Sequence, residues 1–151
     1  MHKYAIPEIE KRRIAKKDFL PDLSTLRSCK IYDNYIKNTR MRLRKEVHSD
    51  WKIVYKLCKK YGKVSAITEE IVNSYLNEDE YNLFITLPSS SLNKTRYFDE
   101  ICDINIFEDG KITVEREFSS ENEANEFIPP KYCGLDVSSE IDRESATIAE
   151  Q

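Results

Sequence analysis

The 151-residue sequence predicts a mainly β (α+β) fold: an eight-stranded antiparallel barrel with helices packed outside. Apolar and polar residues alternate with period two along most of the chain, and that is the period of a strand. The links between alternating runs are short, as antiparallel neighbours allow. Several strands also carry a charged face opposite an apolar one. A sheet closed on itself could then turn its charge inward and bury its apolar faces under helices.

The predicted strands are 3–14, 29–37, 39–46, 51–59, 65–76, 93–99, 101–108 and 111–118. On the first, Glu8, Glu10 and Arg12 share one face, with Ile9, Lys11 and Arg13 on the other. On the third, Arg40, Arg42 and Arg44 lie opposite Met41 and Leu43. On the fourth, Ile53, Tyr55 and Leu57 lie together, opposite Val54 and Lys56. On the eighth, Lys111, Thr113, Glu115 and Glu117 alternate with Ile112, Val114 and Phe118. Gly62 breaks one connection, and Glu108-Asp109-Gly110 marks the tight turn of a hairpin. Helical pieces fit at 18–27, at 78–87 after Asn77, at 120–128, and at 139–150. Ser119 or Ser120 can cap the third of these, with Glu123 closing a capping box. No internal repeat is visible, and one domain over 1–151 is expected.

A chain of this length can bury a core without disulfide or metal staples. With 40% hydrophobic and 34% charged residues, three Gly and five Pro, it is neither collagen-like nor a low-complexity disordered chain. No apolar run approaches the roughly 20 residues of a membrane helix, and the first eight residues lack the apolar stretch of a signal peptide. A soluble, cytoplasmic protein with no membrane partner is expected. Cys29, Cys58, Cys102 and Cys133 form no CxxC pair, and only His2 and His48 could complement them. That spacing argues for buried reduced thiols and against a zinc site. Trp51, the only Trp, reads as a core or rim residue.

The net charge of −3 conceals a segregation. Residues 1–63 hold 18 Lys+Arg against 7 Asp+Glu, and residues 64–151 hold 6 against 20. Either half alone would repel itself, so one fold must interleave the two sets. The charged faces then converge on an interior suited to a polyanion with its metal. The pI near 5.5 and the lack of an RNA-binding signature argue against a nucleic-acid partner for the basic half.

Glu8-Ile9-Glu10-Lys11-Arg12 resembles the ExExK signature of the CYTH superfamily, the triphosphate tunnel metalloenzymes. Met41-Arg42-Leu43-Arg44, Tyr55-Lys56-Leu57, Lys94-Thr95-Arg96-Tyr97, Val114-Glu115-Arg116-Glu117-Phe118, and Phe127-Ile128-Pro129-Pro130 with Gly134 follow in the family's order. The resemblance runs from about residue 6 to 140. It implies an eight-stranded antiparallel β-barrel tunnel that binds a triphosphate-containing small molecule with Mg²⁺ or Mn²⁺. It further implies that Glu8, Glu10, Glu115 and Glu117 face the metal, while Arg12, Arg42, Arg44, Lys56, Lys94 and Arg96 grip phosphate. Lys56 and Glu70 are the implied catalytic residues, Glu70 orienting a water where the metal does not supply one. Carboxylates without His or Cys suit these hard ions, and Arg forks suit phosphate oxygens.

The pattern is departed from at Arg12, where the signature has Lys, at Thr68 in Thr68-Glu69-Glu70, and at Asn105, where many relatives carry an acidic residue. The 139–150 helix lacks the family's basic and Tyr positions. The compact chain resembles small bacterial inorganic tripolyphosphatases, which implies hydrolysis of tripolyphosphate. The alternatives are a class IV-type adenylate cyclase, a thiamine triphosphate hydrolase, and a non-catalytic polyphosphate- or nucleotide-binding module. A homodimer is compatible with any of them. Like charges on neighbouring strands repel, so removing Arg42 or Arg96 is expected to stabilise the empty protein.

Overall fold

The computed structural model describes residues 2–138. Its strands are β1 (Ile6–Ala15), β2 (Ser28–Ile36), β3 (Met41–His48), β4 (Ile53–Lys63), β5 (Thr68–Leu76), β6 (Ser89–Phe98), β7 (Asp103–Phe107), β8 (Ile112–Phe118) and β9 (Cys133–Asp136). Hydrogen bonding runs in the order β5-β4-β3-β2-β6-β7-β8-β1-β9, and a further β5–β1 pairing closes the first eight into an antiparallel barrel. The closure is shared along one edge of β1. Ile6–Ile9 pair with β5, whereas Arg13 and Ala15 pair with Asp136 and Cys133 of β9.

Strand β9 was not expected from the sequence, because Cys133-Gly134-Leu135-Asp136 is too short to show an alternation. It forms because β5 leaves the second half of β1 uncovered. The Arg12 amide donates to Ser138 Oγ at 2.8 Å and the Val137 amide to the Arg12 carbonyl at 2.9 Å. A Cβ on Gly134 would come within 2.7 Å of the Ile14 carbonyl oxygen, so this approach requires glycine.

The expected helices are only partly present. Helix α1 (Glu78–Phe84) is capped by Asn77, whose side chain accepts from the Glu80 amide while Glu80 returns the bond, and α2 (Glu121–Glu126) is capped by Ser120. The Glu123 carboxylate reaches back to the Ser119 amide instead of the Ser120 amide. Residues 18–27 form two 3₁₀ turns, Lys17–Phe19 and Leu23–Thr25, in place of a helix. Gly62 lies within β4, at φ +108° beside a break in register between Lys60 and Lys63, and is a bulge instead of a connection. Trp51 sits in the β3–β4 turn at φ 71° and is 85% exposed, not in a core or rim. The helix expected at 139–150 lies outside the described residues.

The apolar core lies outside the barrel. Ile104 and Val114 pack with Cys102, Tyr132 and Cys133 under Leu20 and Leu23, and Ile9 and Phe118 pack against Ala124 of α2. Outward strand faces are therefore covered by the 3₁₀ turns, α2 and the approach to β9, and the interior holds the charged side chains together with a few apolar ones such as Ile31 and Phe107. All four cysteines are free and buried. No helix among the described residues is long and apolar enough to cross a membrane.

Candidate active site

Strand alternation carries Glu8, Glu10 and Arg12 of β1, Arg42 and Arg44 of β3, Lys56 of β4, Lys94 and Arg96 of β6, and Glu115 and Glu117 of β8 to one interior cavity. Its volume is about 260 Å³. A single water needs roughly 10–15 Å³ on such a measure, so a multi-atom ligand fits.

Glu70 is not among the residues that line this cavity. On β5 the inner phase passes through Glu69, Ile71 and Asn73, and Asn73 reaches the cavity. Thr68 and Glu70 take the other phase. Thr68 Oγ1 donates to Glu121 of α2 at 2.7 Å, and the Glu70 carboxylate accepts from the His2 amide at 3.5 Å. Orientation of a water inside the barrel by Glu70 is thus corrected: period-two geometry points its side chain out. Glu69 instead pairs with Lys60, 3.9 Å away.

Three of the four expected metal carboxylates come together. Glu8, Glu10 and Glu117 each present an oxygen within 4.8 Å of the others, because β1 and β8 are neighbours with Glu10 opposite Glu117. Burial, then the proximity of Glu115 and Glu8, hold the Glu10 carboxyl well above its ordinary range. Burial, Glu8 and Glu115 likewise push Glu117 up. A clustered, all-oxygen set in which burial and neighbouring carboxylates disfavour the ionised forms of Glu10 and Glu117 fits a hard divalent cation.

Glu115 is engaged differently. Its carboxylate accepts from Arg96 Nη2 and, at 2.6 Å, from Asn105 Nδ2, while Asn105 Oδ1 accepts from Arg96 Nε at 2.8 Å. Burial would raise its pKa, but the positive charges of Arg96 and Lys94 outweigh burial and hold Glu115 well below the usual range. Asn105, 1% exposed, therefore has a positioning role: an acid there would add a third carboxylate beside Glu115 and Glu10, whereas the amide both donates and accepts.

Several further ionisable side chains of the barrel interior lie outside the expected set. Asp33, fully buried on β2, accepts from Arg44 at 2.6 and 2.9 Å and lies 3.7 Å from Arg42 Nε. Burial alone would raise its pKa, but Arg44 and Arg42 prevail and bring it to about 2. Glu46 pairs with Lys56 at 2.9 Å and with His48 at 3.0 Å. The inward phase of β2 (Cys29, Ile31, Asp33, Tyr35) held the only signal, one acid among residues that otherwise read as core.

The basic set is compensated unevenly. Arg44, Arg96 and Lys56 have carboxylate partners. Arg42 Nε is buried without a hydrogen-bond partner, and Lys94 makes no hydrogen bond or ion pair among the described residues. Burial lowers the Lys94 pKa to about 8, Arg44 and Arg96 adding to it against the opposing pull of Glu115. Two half-buried cationic side chains facing a polar cavity without full compensation are what an anionic ligand would satisfy.

No family model matches the sequence, and no curated protein matches it. Among solved structures, the crystal structure of the hypothetical protein NE1496 matches at 21% identity and a TM-score of 0.58, over 94% of this chain and 97% of that one. The crystal structure of the inorganic triphosphatase NE1496 matches at 21% identity and a TM-score of 0.58, over 95% of each chain. At this identity the likeness is one of fold: a closed eight-stranded antiparallel barrel.

Proposed function

We propose that the protein is a metal-dependent triphosphatase that takes a linear triphosphate, inorganic tripolyphosphate first, into the barrel. The observation that carries this reading is the pairing of under-compensated Arg42 and Lys94 with a three-carboxylate cluster in the same cavity. A phosphate chain and a divalent cation would neutralise both at once. The shared fold with a protein named an inorganic triphosphatase supports the reading.

Arg42, Arg44 and Arg96 would present planar forks to phosphate oxygens, while Lys56 and Lys94 act as point charges. Glu8, Glu10 and Glu117 would hold Mg²⁺ or Mn²⁺, which when bound neutralises phosphate oxygens and makes a water more acidic. Water attacks the terminal phosphorus in line, the bond to the bridging oxygen breaks, and its electron pair leaves with pyrophosphate. Lys56 and Arg44, opposite one another on β4 and β3, would stabilise the charge that gathers on that leaving group.

A binding-only reading is favoured by one feature: Glu70 is outside the cavity and Glu115 is held by Arg96, so no expected carboxylate is left as a dedicated base. Phosphate release from tripolyphosphate, ATP and thiamine triphosphate, each with Mg²⁺ or Mn²⁺, decides between them. Release that is fastest with tripolyphosphate and needs metal is the expected result. Binding without release would establish the binding module, and pyrophosphate from ATP with a cyclic product would establish a cyclase.

A further inference from the structure

The wall where β2 meets β3 carries a side-chain cluster outside the carboxylate site, joined to the proposed phosphate grip only through the Glu46–Lys56 pair. The β2–β3 register sets Cys29 opposite His48 and Ile31 opposite Glu46, and Cys29, Glu46 and His48 all face the cavity. One donor atom from each lies within 4.8 Å of the other two. Glu46 Oε2 is held by Lys56 Nζ at 2.9 Å, which leaves Oε1 turned to His48 Nε2 at 3.0 Å. The imidazole stacks on Phe98 at a 9° interplanar angle, fixing its plane. Cys29 is 1% exposed, and among the described residues its thiol makes only a 3.6 Å contact with the Lys30 carbonyl.

We propose that Cys29, Glu46 and His48 form a second cation site in the tunnel wall, one that takes a thiophilic divalent ion such as Zn²⁺ and refuses Mg²⁺. Thiolate, imidazole and carboxylate are the three donor types that zinc accepts, and three protein ligands leave a fourth position open to the cavity. Zinc bonds of about 2.0–2.3 Å require only a modest contraction of a cluster already this close. The ion meets two negative charges, from the Cys29 thiolate and Glu46, so the nearby Arg44, Arg96 and Lys56 face a neutral unit. On binding, the thiol proton leaves to solvent. The ion takes the place of the hydrogen that Nε2 shares with Oε1, and that proton passes to Nδ1, so the imidazole stays neutral with one proton. Selectivity over Mg²⁺ follows from sulfur and nitrogen donors, just as Glu8, Glu10 and Glu117 select a hard ion. The site does not depend on the proposed hydrolysis. Its consequence does: an ion beside Lys56 occupies tunnel space the triphosphate needs, so Zn²⁺ should inhibit.

The test is a titration of the reduced, chelator-stripped full chain with Co²⁺, read by absorption. The expected result is thiolate-to-cobalt charge transfer that saturates at one equivalent, is bleached by Zn²⁺, and is unmoved by excess Mg²⁺. Cys29→Ser should abolish the band, His48→Ala should weaken Co²⁺ binding by about tenfold or more, and Cys58→Ser, at the other inward thiol, should retain it. No charge-transfer band in the wild-type protein, or an undiminished band in Cys29→Ser, overturns the site. If Cys29→Ser does not fold, His48→Ala decides, and full Co²⁺ affinity in that variant overturns it. The absorption needs no substrate, so loss of this site and failure of the triphosphatase reading are separate outcomes. Zn²⁺ inhibition of wild type that is absent in Cys29→Ser would join the two.

Discussion

Asp33 and Arg44 form a bidentate ion pair inside the barrel, with Nε donating to Oδ1 at 2.6 Å and Nη2 to Oδ2 at 2.9 Å. Arg42 Nε approaches the same Oδ1 at 3.7 Å, so one carboxylate serves two guanidinium groups. The empty tunnel is thus balanced at Arg44 and under-balanced at Arg42. The protein's own carboxylate fixes Arg44 fully and Arg42 only in part.

Asp33→Asn should destabilise the protein strongly, since breaking a buried pair leaves an uncompensated charge and costs about 3–5 kcal/mol. Denaturant midpoints measure this. The carboxylate is depressed to about 2 from an ordinary 3.8, so its stabilisation is complete above pH 4 and lost as pH falls toward 2. Wild type should therefore lose stability over that window, and Asp33→Asn should lose less.

Arg42→Ala and Arg96→Ala should part company in the empty protein, contrary to the expectation that both stabilise it. Arg42 has a buried Nε with no hydrogen-bond partner, so its removal should leave the melting temperature nearly unchanged or raise it. Arg96 satisfies Glu115 and Asn105, so its removal strands a buried carboxylate and should lower the melting temperature. Both variants should bind tripolyphosphate more weakly by calorimetry, with losses of tenfold or more, on the order of 1.5–3 kcal/mol for a hydrogen bond to a charged group.

Lys94, lowered to about 8, should take up a proton when tripolyphosphate binds at pH values somewhat above 8, because the anion restores the ammonium. Calorimetry at one such pH in buffers of different ionisation enthalpy reads that uptake. Lys94→Met should lose it. The slope for the ligand-free protein has the same sign as that of Asp33, because each group binds its proton less tightly folded than unfolded: a desolvated ammonium costs stability below about 8, and the cost lifts as pH rises toward 10.5.

Glu10→Gln and Glu117→Gln should each abolish metal-dependent phosphate release while keeping substantial metal-free tripolyphosphate binding, because the basic wall remains. Mg²⁺ binding to wild type should release protons, as burial and neighbouring carboxylates hold Glu10 and Glu117 above their ordinary range. The Gln variants should release fewer. Paired phosphate-release and calorimetric measurements check both, and full activity in both variants would remove the metal from these carboxylates.

The barrel and much of the charged cavity lining were legible in the chain alone, because strand period assigns a face to each residue without knowledge of its neighbours. Glu8, Glu10, Arg42, Arg44, Lys56 and Glu117 lie on the charged faces read from strand period, and each lines the cavity. Glu70 misled because Thr68-Glu69-Glu70 begins beside a bulged edge, where a one-residue phase error moves a side chain to the opposite face. Strand β9 was invisible because its reason for forming is an uncovered stretch of β1, not its own composition. The partners of the cationic groups lay equally beyond reach. That Asp33 meets Arg44, Asn105 bridges Arg96 to Glu115, and Cys29 faces His48 depends on strand order and register. Face is a local property of backbone pleat, whereas partnership is set by which strands the closed sheet brings side by side, and only the tertiary structure decides that.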